Sequence, residues 1–342
     1  MVFVTGGTGL VGSHLLFELI KKGEKVRALR RESSSISLTK KIFSYYDDKF
    51  DELFNKIEWV EGDMLDYLGL EKLFDDIDNV YHCAATVSFD TSDHEQMINN
   101  NVKGTENLIN ISIDKNIRKF AYVSSIATLG RAKNENKITN ENTDMDETGE
   151  ISVYSLSKYL AEKEVWRGIA EGLNAVIVNP SIIIGPGDWS KGSCQMFQVG
   201  YKGLKYYTKG VNGFVDVRDV AKILVLLMSS EISNERFILS SENVSYRKLY
   251  DDISLNFNFK KPYIKVNPFL SGIAWRIEKL KSLIAGLKPL ITKETARTAN
   301  QKYFYSNERI VNAINYKFIP VSESIKHTCS AYLKDNRLNI KI

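Results

Sequence analysis

The chain is poor in the residues that build covalent or metal-held frameworks. Its 342 residues include three cysteines, Cys83, Cys194 and Cys329, widely spaced and outside any CxxC pair. Such a set offers neither a disulfide framework nor a zinc site, and it suits reduced thiols in the cytoplasm. Four histidines (His14, His82, His94 and His327) stand far apart without ligand spacing, so no metal is assigned. No stretch supplies 18 uncharged apolar residues, which argues against a membrane-spanning helix. A glycine pattern already under way at residue 5 leaves no room for an export signal, and none is expected. There is no internal repeat or low-complexity tract. The net charge of +4 is too small to imply a nucleic-acid partner, though it would not repel a phosphorylated ligand.

What is present is a globular composition, 43% hydrophobic and 26% charged, with ample length for a core. Short apolar runs at 1–5, 25–29, 57–61, 79–82, 119–124, 174–179, 214–217 and 236–239 read as strands. Helix-like stretches lie between them at 10–22, 68–75, 95–113, 154–171 and 220–229. Nearly continuous apolar strands alternating with helices predict an α/β fold: a Rossmann-type doubly wound parallel sheet with a smaller, mixed C-terminal substrate lobe. The division expected is a nucleotide-binding domain over 1–180, to which the strands and helix of 212–240 return, and an interleaved substrate lobe over 181–342. Residues 33–55 and 131–150 interrupt the rhythm, and the second, very polar one reads as a flap over one end of the sheet.

Residues 5–12, TGGTGLVG, join the first strand to the first helix. Gly7-x-Gly9-x-x-Gly12, overlapping Gly6-x-x-Gly9-x-x-Gly12, is the spacing a dinucleotide-binding turn requires. One glycine makes the tight turn, one lets the backbone approach a pyrophosphate and one packs helix against strand. The N–H groups heading the helix at Leu10, Val11 and Gly12 would meet the diphosphate. The second strand ends in KVRALRRESS. Arg30 and Arg31 stand where an NAD site wants a carboxylate, which favours NADP(H), with NAD(H) as the alternative.

Tyr154 and Lys158 in VYSLSKYLAEKEV are four apart on a helix and share a face. A free tyrosine titrates near 10, so proton transfer near neutrality asks for roughly 3–4 kcal/mol of help. One ammonium at about 4 Å in a partly shielded site supplies roughly 4 kcal/mol. Upstream, FAYVSSIATLG is a buried-type strand ending in two serines, at the end of a parallel strand where ligands bind. A hydroxyl there could hold a carbonyl oxygen while Tyr154 transfers the proton.

With these residues in view, the chain resembles the extended short-chain dehydrogenase/reductase family. TGGTGLVG, the GDM of 62–64, the HCAAT of 82–86, the NVKGT of 101–105, VSSIATLG and YSLSK come in the family's order over roughly residues 1–230. NPSIIIGPGD and the arginine-ended second strand look most like the dihydroflavonol 4-reductase-like and 3β-hydroxysteroid dehydrogenase-like members. The resemblance implies Ser125 as the catalytic serine and Tyr154 and Lys158 as the acid–base pair. It also implies Asp63 and Met64 beside the adenine, Ala84, Ala85 and Thr86 along the cofactor cleft, and Pro180, Ser181 and Ile183 near the nicotinamide. Asn101 is either a structural clasp or part of a proton relay. Many relatives carry arginine before the later proline where this chain has Asn179, a departure that weakens sugar-nucleotide recognition. Relatives commonly dimerise through two long helices, here 95–113 and 154–171, so a homodimer is expected.

The implied activity is an NADP(H)-dependent carbonyl reductase or alcohol dehydrogenase acting on a small or lipid-like substrate. A sugar-nucleotide epimerase or dehydratase using NAD, and a non-catalytic NADP-binding sensor, are the alternatives. Aromatic candidates for the substrate side are Phe89, Trp189, Phe197, Tyr201, Tyr206 and Tyr207. Beyond residue 240 no motif carries chemistry. Leu270, Ile273, Ile277, Leu280, Ile284 and Leu287 recur at helical spacing in a basic stretch, 265–302. That pattern reads as a core-facing helix, or as an amphipathic segment on an anionic membrane.

Overall fold

All the apolar runs but that at 214–217 become the strands of one parallel sheet in the computed structural model, which describes residues 1–88, 93–132, 138–145, 151–266, 275–276 and 298–339. Strands β1 (Val2–Thr5), β2 (Val26–Arg30), β3 (Ile57–Glu61), β4 (Asn79–His82), β5 (Lys119–Val123) and β6 (Ala175–Pro180) precede the short β7 (Ile182–Ile184) and β8 (Val211–Asp216). Strands β9 (Glu235–Leu239) and β10 (Glu242–Ser245) follow. The sheet runs β3-β2-β1-β4-β5-β6-β9, and every neighbouring pair is parallel. The order reverses between β1 and β4, and ligands of such sheets bind outside the carboxyl ends of the strands at that switch.

The central strands are buried on both faces, which is why they read as continuous apolar runs. Val2, Val4, Val176 and Val178 face one core with helices α1 (Leu10–Lys21) and α6 (Val217–Met228). Phe3, Phe120, Ala175 and Ile177 face the other with α4 (His94–Asp114) and α5 (Val153–Ala170). Helices α4 and α5 cross closely at Gly168, where a Cβ would stand 2.6 Å from Ile109 Cγ2.

Residues 33–55 do more than interrupt the rhythm: they form helices α2 (Ser37–Phe43) and α3 (Phe50–Phe54), which pack on α1 through Phe43 and Phe54. Of the 212–240 stretch, α6 and β9 return to the main sheet. Strand β8 instead pairs with β7 and antiparallel with β10 in a second, three-stranded sheet. A third core joins that sheet to α7 (Tyr246–Asn256) and α8 (Val321–Asn339) through Phe197, Phe214, Ile253, Ile325 and Tyr332. Phe89, Leu270, Ile273, Ile277, Leu280, Ile284 and Leu287 lie outside the described residues. No described helix is long and apolar enough to cross a membrane.

Candidate active site

The glycines of residues 6–12 answer different demands. Gly6 has φ +73°, and a Cβ there would fall 2.5 Å from the Ala84 nitrogen, so the turn is pressed onto the end of β4. A Cβ on Gly12 would lie 2.1 Å from the Gly6 carbonyl oxygen. Gly9 is different: its φ is −89°, and a Cβ would meet only the Gly6 oxygen at 3.3 Å. Neither backbone conformation nor protein packing demands glycine at that position, so the space left there fits a diphosphate brought against the head of α1. Ser13 and Thr39 both donate to the Gly7 carbonyl at 3.0 Å, tying α2 to the turn. Gly187 closes on the same place, with its Cβ position 2.9 Å from Leu10 Cδ1.

A buried chain of hydrogen bonds fixes the strand ends. Burial, reinforced by the charge of Lys158, pushes His82 down to about 3, so the ring is neutral. One tautomer satisfies every partner. The Ala84 N–H donates to Thr5 Oγ1 (3.3 Å), which donates to His82 Nδ1 (2.7 Å). His82 Nε2 donates to Thr105 Oγ1 (2.9 Å), which donates to the Asn101 carbonyl (2.6 Å). The Asn101 side chain grips both backbone groups of Thr86, at 2.7 and 2.9 Å, and donates to Ser157 Oγ at 3.0 Å. It therefore clasps the segment after β4 to the first turns of α5.

At the end of β2 the two arginines part company. Arg30 pairs with Glu61 on β3, whereas Arg31 is exposed just past the strand. Asp63 accepts from the Leu65 N–H at 3.0 Å, and Met64 packs over Gly104 of α4. Pro180 ends β6, Ser181 donates its hydroxyl to the Leu239 carbonyl at 3.1 Å, and Ile183 packs against the α1-side core.

Lys158 is only 2% exposed. Its ammonium donates to the Val123 carbonyl at the end of β5 (2.8 Å) and sits 4.4 Å from the Tyr122 ring centre. The strand end is thus joined to α5 immediately before Ser124 and Ser125, with Tyr154 one turn earlier on the same helix. Burial pushes Lys158 down to about 7, opposed by Glu162 and Cys83. The Cys83 thiol is itself pushed up to about 12, so only Glu162 brings a negative charge near neutral pH.

Glu162 is a residue the motifs did not single out. One further turn along the face of Tyr154 and Lys158, its buried carboxylate accepts from Ser124 (2.5 Å), Thr128 (2.8 Å) and Asn179 (2.9 Å). It also accepts from Trp166 (3.3 Å) and pairs with Arg236 of β9 at 3.1 Å. Asn179 also donates to the Ser125 carbonyl at 3.1 Å. Both ends of the turn carrying Ser125 are therefore anchored on Glu162, and Asn179 holds its middle. The spacing of 154, 158 and 162 was the available signal. Of the aromatic candidates, Phe197 is core, Tyr201 packs on Phe257 and Tyr332, and Trp189 donates to Asp335 of α8. Tyr207 lies under the Arg247 guanidinium, and Tyr206 is exposed.

A family model described as the NAD dependent epimerase/dehydratase family matches residues 2–239. The chain is 30% identical over 322 residues to a Synechocystis sp. protein provisionally named dihydroflavonol 4-reductase, covering 91% of this chain and 88% of that one. It is 27% identical over 274 residues to sterol demethylase protein B of Methylococcus capsulatus, 79% of each. Its identity to cinnamoyl-CoA reductase 1 of Petunia hybrida is 28% over 264 residues, 72% of this chain and 74% of that one. Among solved structures, gox2253 superposes with a TM-score of 0.81 at 28% identity, over 98% of this chain and 99% of that one. The UDP-glucose 4-epimerase of Thermotoga maritima, solved with UDP-glucose, shares the fold with a TM-score of 0.73 at 18% identity, over 98% and 99%.

Proposed function

The chain belongs to the NAD dependent epimerase/dehydratase family and is an NAD(P)-dependent oxidoreductase, and from that premise we propose that it is an NADP(H)-dependent carbonyl reductase or alcohol dehydrogenase. The turn of Gly6, Gly7, Gly9 and Gly12, with the N–H groups of Leu10 and Val11, holds the diphosphate. Arg31, with Arg30 beside it, faces the ribose phosphate, and Asp63 and Met64 flank the adenine. Ala84, Ala85 and Thr86 line the cleft, and Pro180, Ser181 and Ile183 back the nicotinamide. The bound cofactor supplies or accepts a hydride. Ser125 donates a hydrogen bond to the substrate oxygen, Tyr154 gives that oxygen its proton or takes it away, and Lys158 steadies the ionised tyrosine.

The observation that carries this reading is the buried Lys158 held on the Val123 carbonyl. It joins the helix that carries Tyr154 and Lys158 to the end of β5 that leads into Ser125, beside the switch point. Relatives named as a dihydroflavonol 4-reductase, a cinnamoyl-CoA reductase and a sterol demethylase protein support a carbonyl or hydroxyl on an apolar or lipid-like substrate. They support that class over a sugar nucleotide, as does Asn179 turned toward Ser125 and Glu162.

Cofactor choice is tested at Arg31. Glu61 already engages Arg30, so Arg31→Ala should weaken NADPH by tenfold or more, roughly the strength of one charge-assisted contact, and leave NADH almost unchanged. Fluorescence titration with both nucleotides reads this directly. Equal losses for the two would remove the assignment to the 2′-phosphate.

A further inference from the structure

Of the large apolar side chains exposed among the described residues, four of nine fall in one corner of the C-terminal lobe. They are Tyr206 (53% exposed), Leu255 (52%), Phe259 (40%) and Tyr263 (67%). Two segments bring them together. Residues 205–207 pair in parallel with 263–266: the Tyr263 N–H donates to the Lys205 carbonyl at 3.0 Å, and that of Val266 to the Tyr207 carbonyl at 2.8 Å. Beneath them the Tyr201 ring packs on Phe257 and Phe259, with centroids 5.2 and 6.1 Å apart. The same two segments read KGLKYYTK and LNFNFKKPYIK, with six lysines and no acid. Lys202, Lys205, Lys209, Lys260, Lys261 and Lys265 are all exposed. The nearby carboxylates of α7 are already engaged, Asp251 with Arg247 and Asp252 with Lys248.

We propose that this corner is a docking surface for an anionic lipid bilayer. Contiguous exposed apolar side chains inside a polar rim mark interaction sites rather than ordinary surface. Leu255 and Phe259 have no polar atom to offer a partner, so their favourable position is among acyl chains. Tyr206 and Tyr263 combine an apolar ring with a hydroxyl that suits the headgroup level. All six uncommitted cations are lysines, mobile point charges that follow a fluid layer of headgroups. A fixed phosphate array would instead favour the planar fork of arginine. The surface shares no residue with the candidate active site, and its proposed role does not depend on the reductase reading.

Flotation of the full chain with vesicles tests this without measuring turnover. Binding should be strong to mixed phosphatidylserine and phosphatidylcholine, weak to phosphatidylcholine alone, and reduced by salt. Changing Lys205, Lys209, Lys260 and Lys261 to Gln should lower partitioning by about 600-fold, since each lysine near an anionic surface is worth about a fivefold factor. A variant with the same net charge, carrying Gln at the exposed Lys25, Lys56, Lys72 and Lys326, should bind almost as the parent does. Tyr263→Trp should shift its emission to the blue on the anionic vesicles. No flotation, equal loss in both charge variants, or an unshifted tryptophan would each overturn the proposal. So would retention on single-stranded nucleic acid in place of lipid.

Discussion

Lys158 and Glu162 show how one helical turn sets the chemistry of a site. A lysine whose folded value is about 7 has released a proton that the unfolded chain still holds up to about 10.4. Folding stability of the cofactor-free protein should therefore rise with pH between those values, because the unfolded state binds more protons there. Lys158→Met should remove that slope and raise the melting temperature more at pH 6 than at pH 9. Melting curves across this range check it, and a parallel pH dependence in both proteins would show that Lys158 is not the group responsible. Glu162→Gln removes the one carboxylate that opposes the fall in Lys158. The lysine should then lose its proton at lower pH, and the alkaline limb of the turnover profile should move down by about one unit. The loss of a charged acceptor facing Arg236 should also cost about 3–5 kcal/mol of stability. An unmoved profile in a variant that is merely less stable would limit Glu162 to a structural role.

At the scale of elements, the turn from β1 to α1 separates two uses of glycine that its spacing alone cannot. Gly12→Ala drives a Cβ into backbone and should destabilise by about 1–3 kcal/mol. Gly9→Ala meets nothing but one oxygen, so melting should change little while NADPH affinity collapses. Thermal unfolding and nucleotide titration of the two variants make the comparison, and parallel losses in both measures would contradict the division. The strands were legible because each is a short apolar run bounded by glycine or polar residues, and the observed bounds of β1 to β6 fall within one or two residues of those runs. Helices α2 and α3 were not, since at seven and five residues they hold less than two turns of periodicity. Their stability comes from contacts distant in sequence: Tyr46 on His14 at 2.8 Å, and Tyr45 on Asp335 at 2.7 Å. The second sheet escaped for a similar reason, because which sheet β8 joins depends on β7 and β10 rather than on its own residues.

In the whole molecule, the glycine turn, the end of β5 and the first turns of α5 converge at the switch point of one sheet. The 186–189 segment reaches over the head of α1, bonded to it by the Pro186 carbonyl at 2.9 Å from His14 Nε2. Motif residues were legible because their spacing follows the local period of strand or helix. Glu162, Asn179 and Arg236 were not, because their meeting requires three separate elements to be placed first. The central claim is that Tyr154 transfers a proton on this scaffold. Tyr154→Phe keeps the ring and removes the hydroxyl, so NADPH affinity and melting temperature should stay near those of the parent. Turnover of an aldehyde, ketone or sterol substrate, followed by NADPH absorbance, should fall about 10²–10⁴-fold, the range of general acid–base assistance. Near-full turnover in Tyr154→Phe would contradict the account and leave a nucleotide-binding fold without the proposed chemistry.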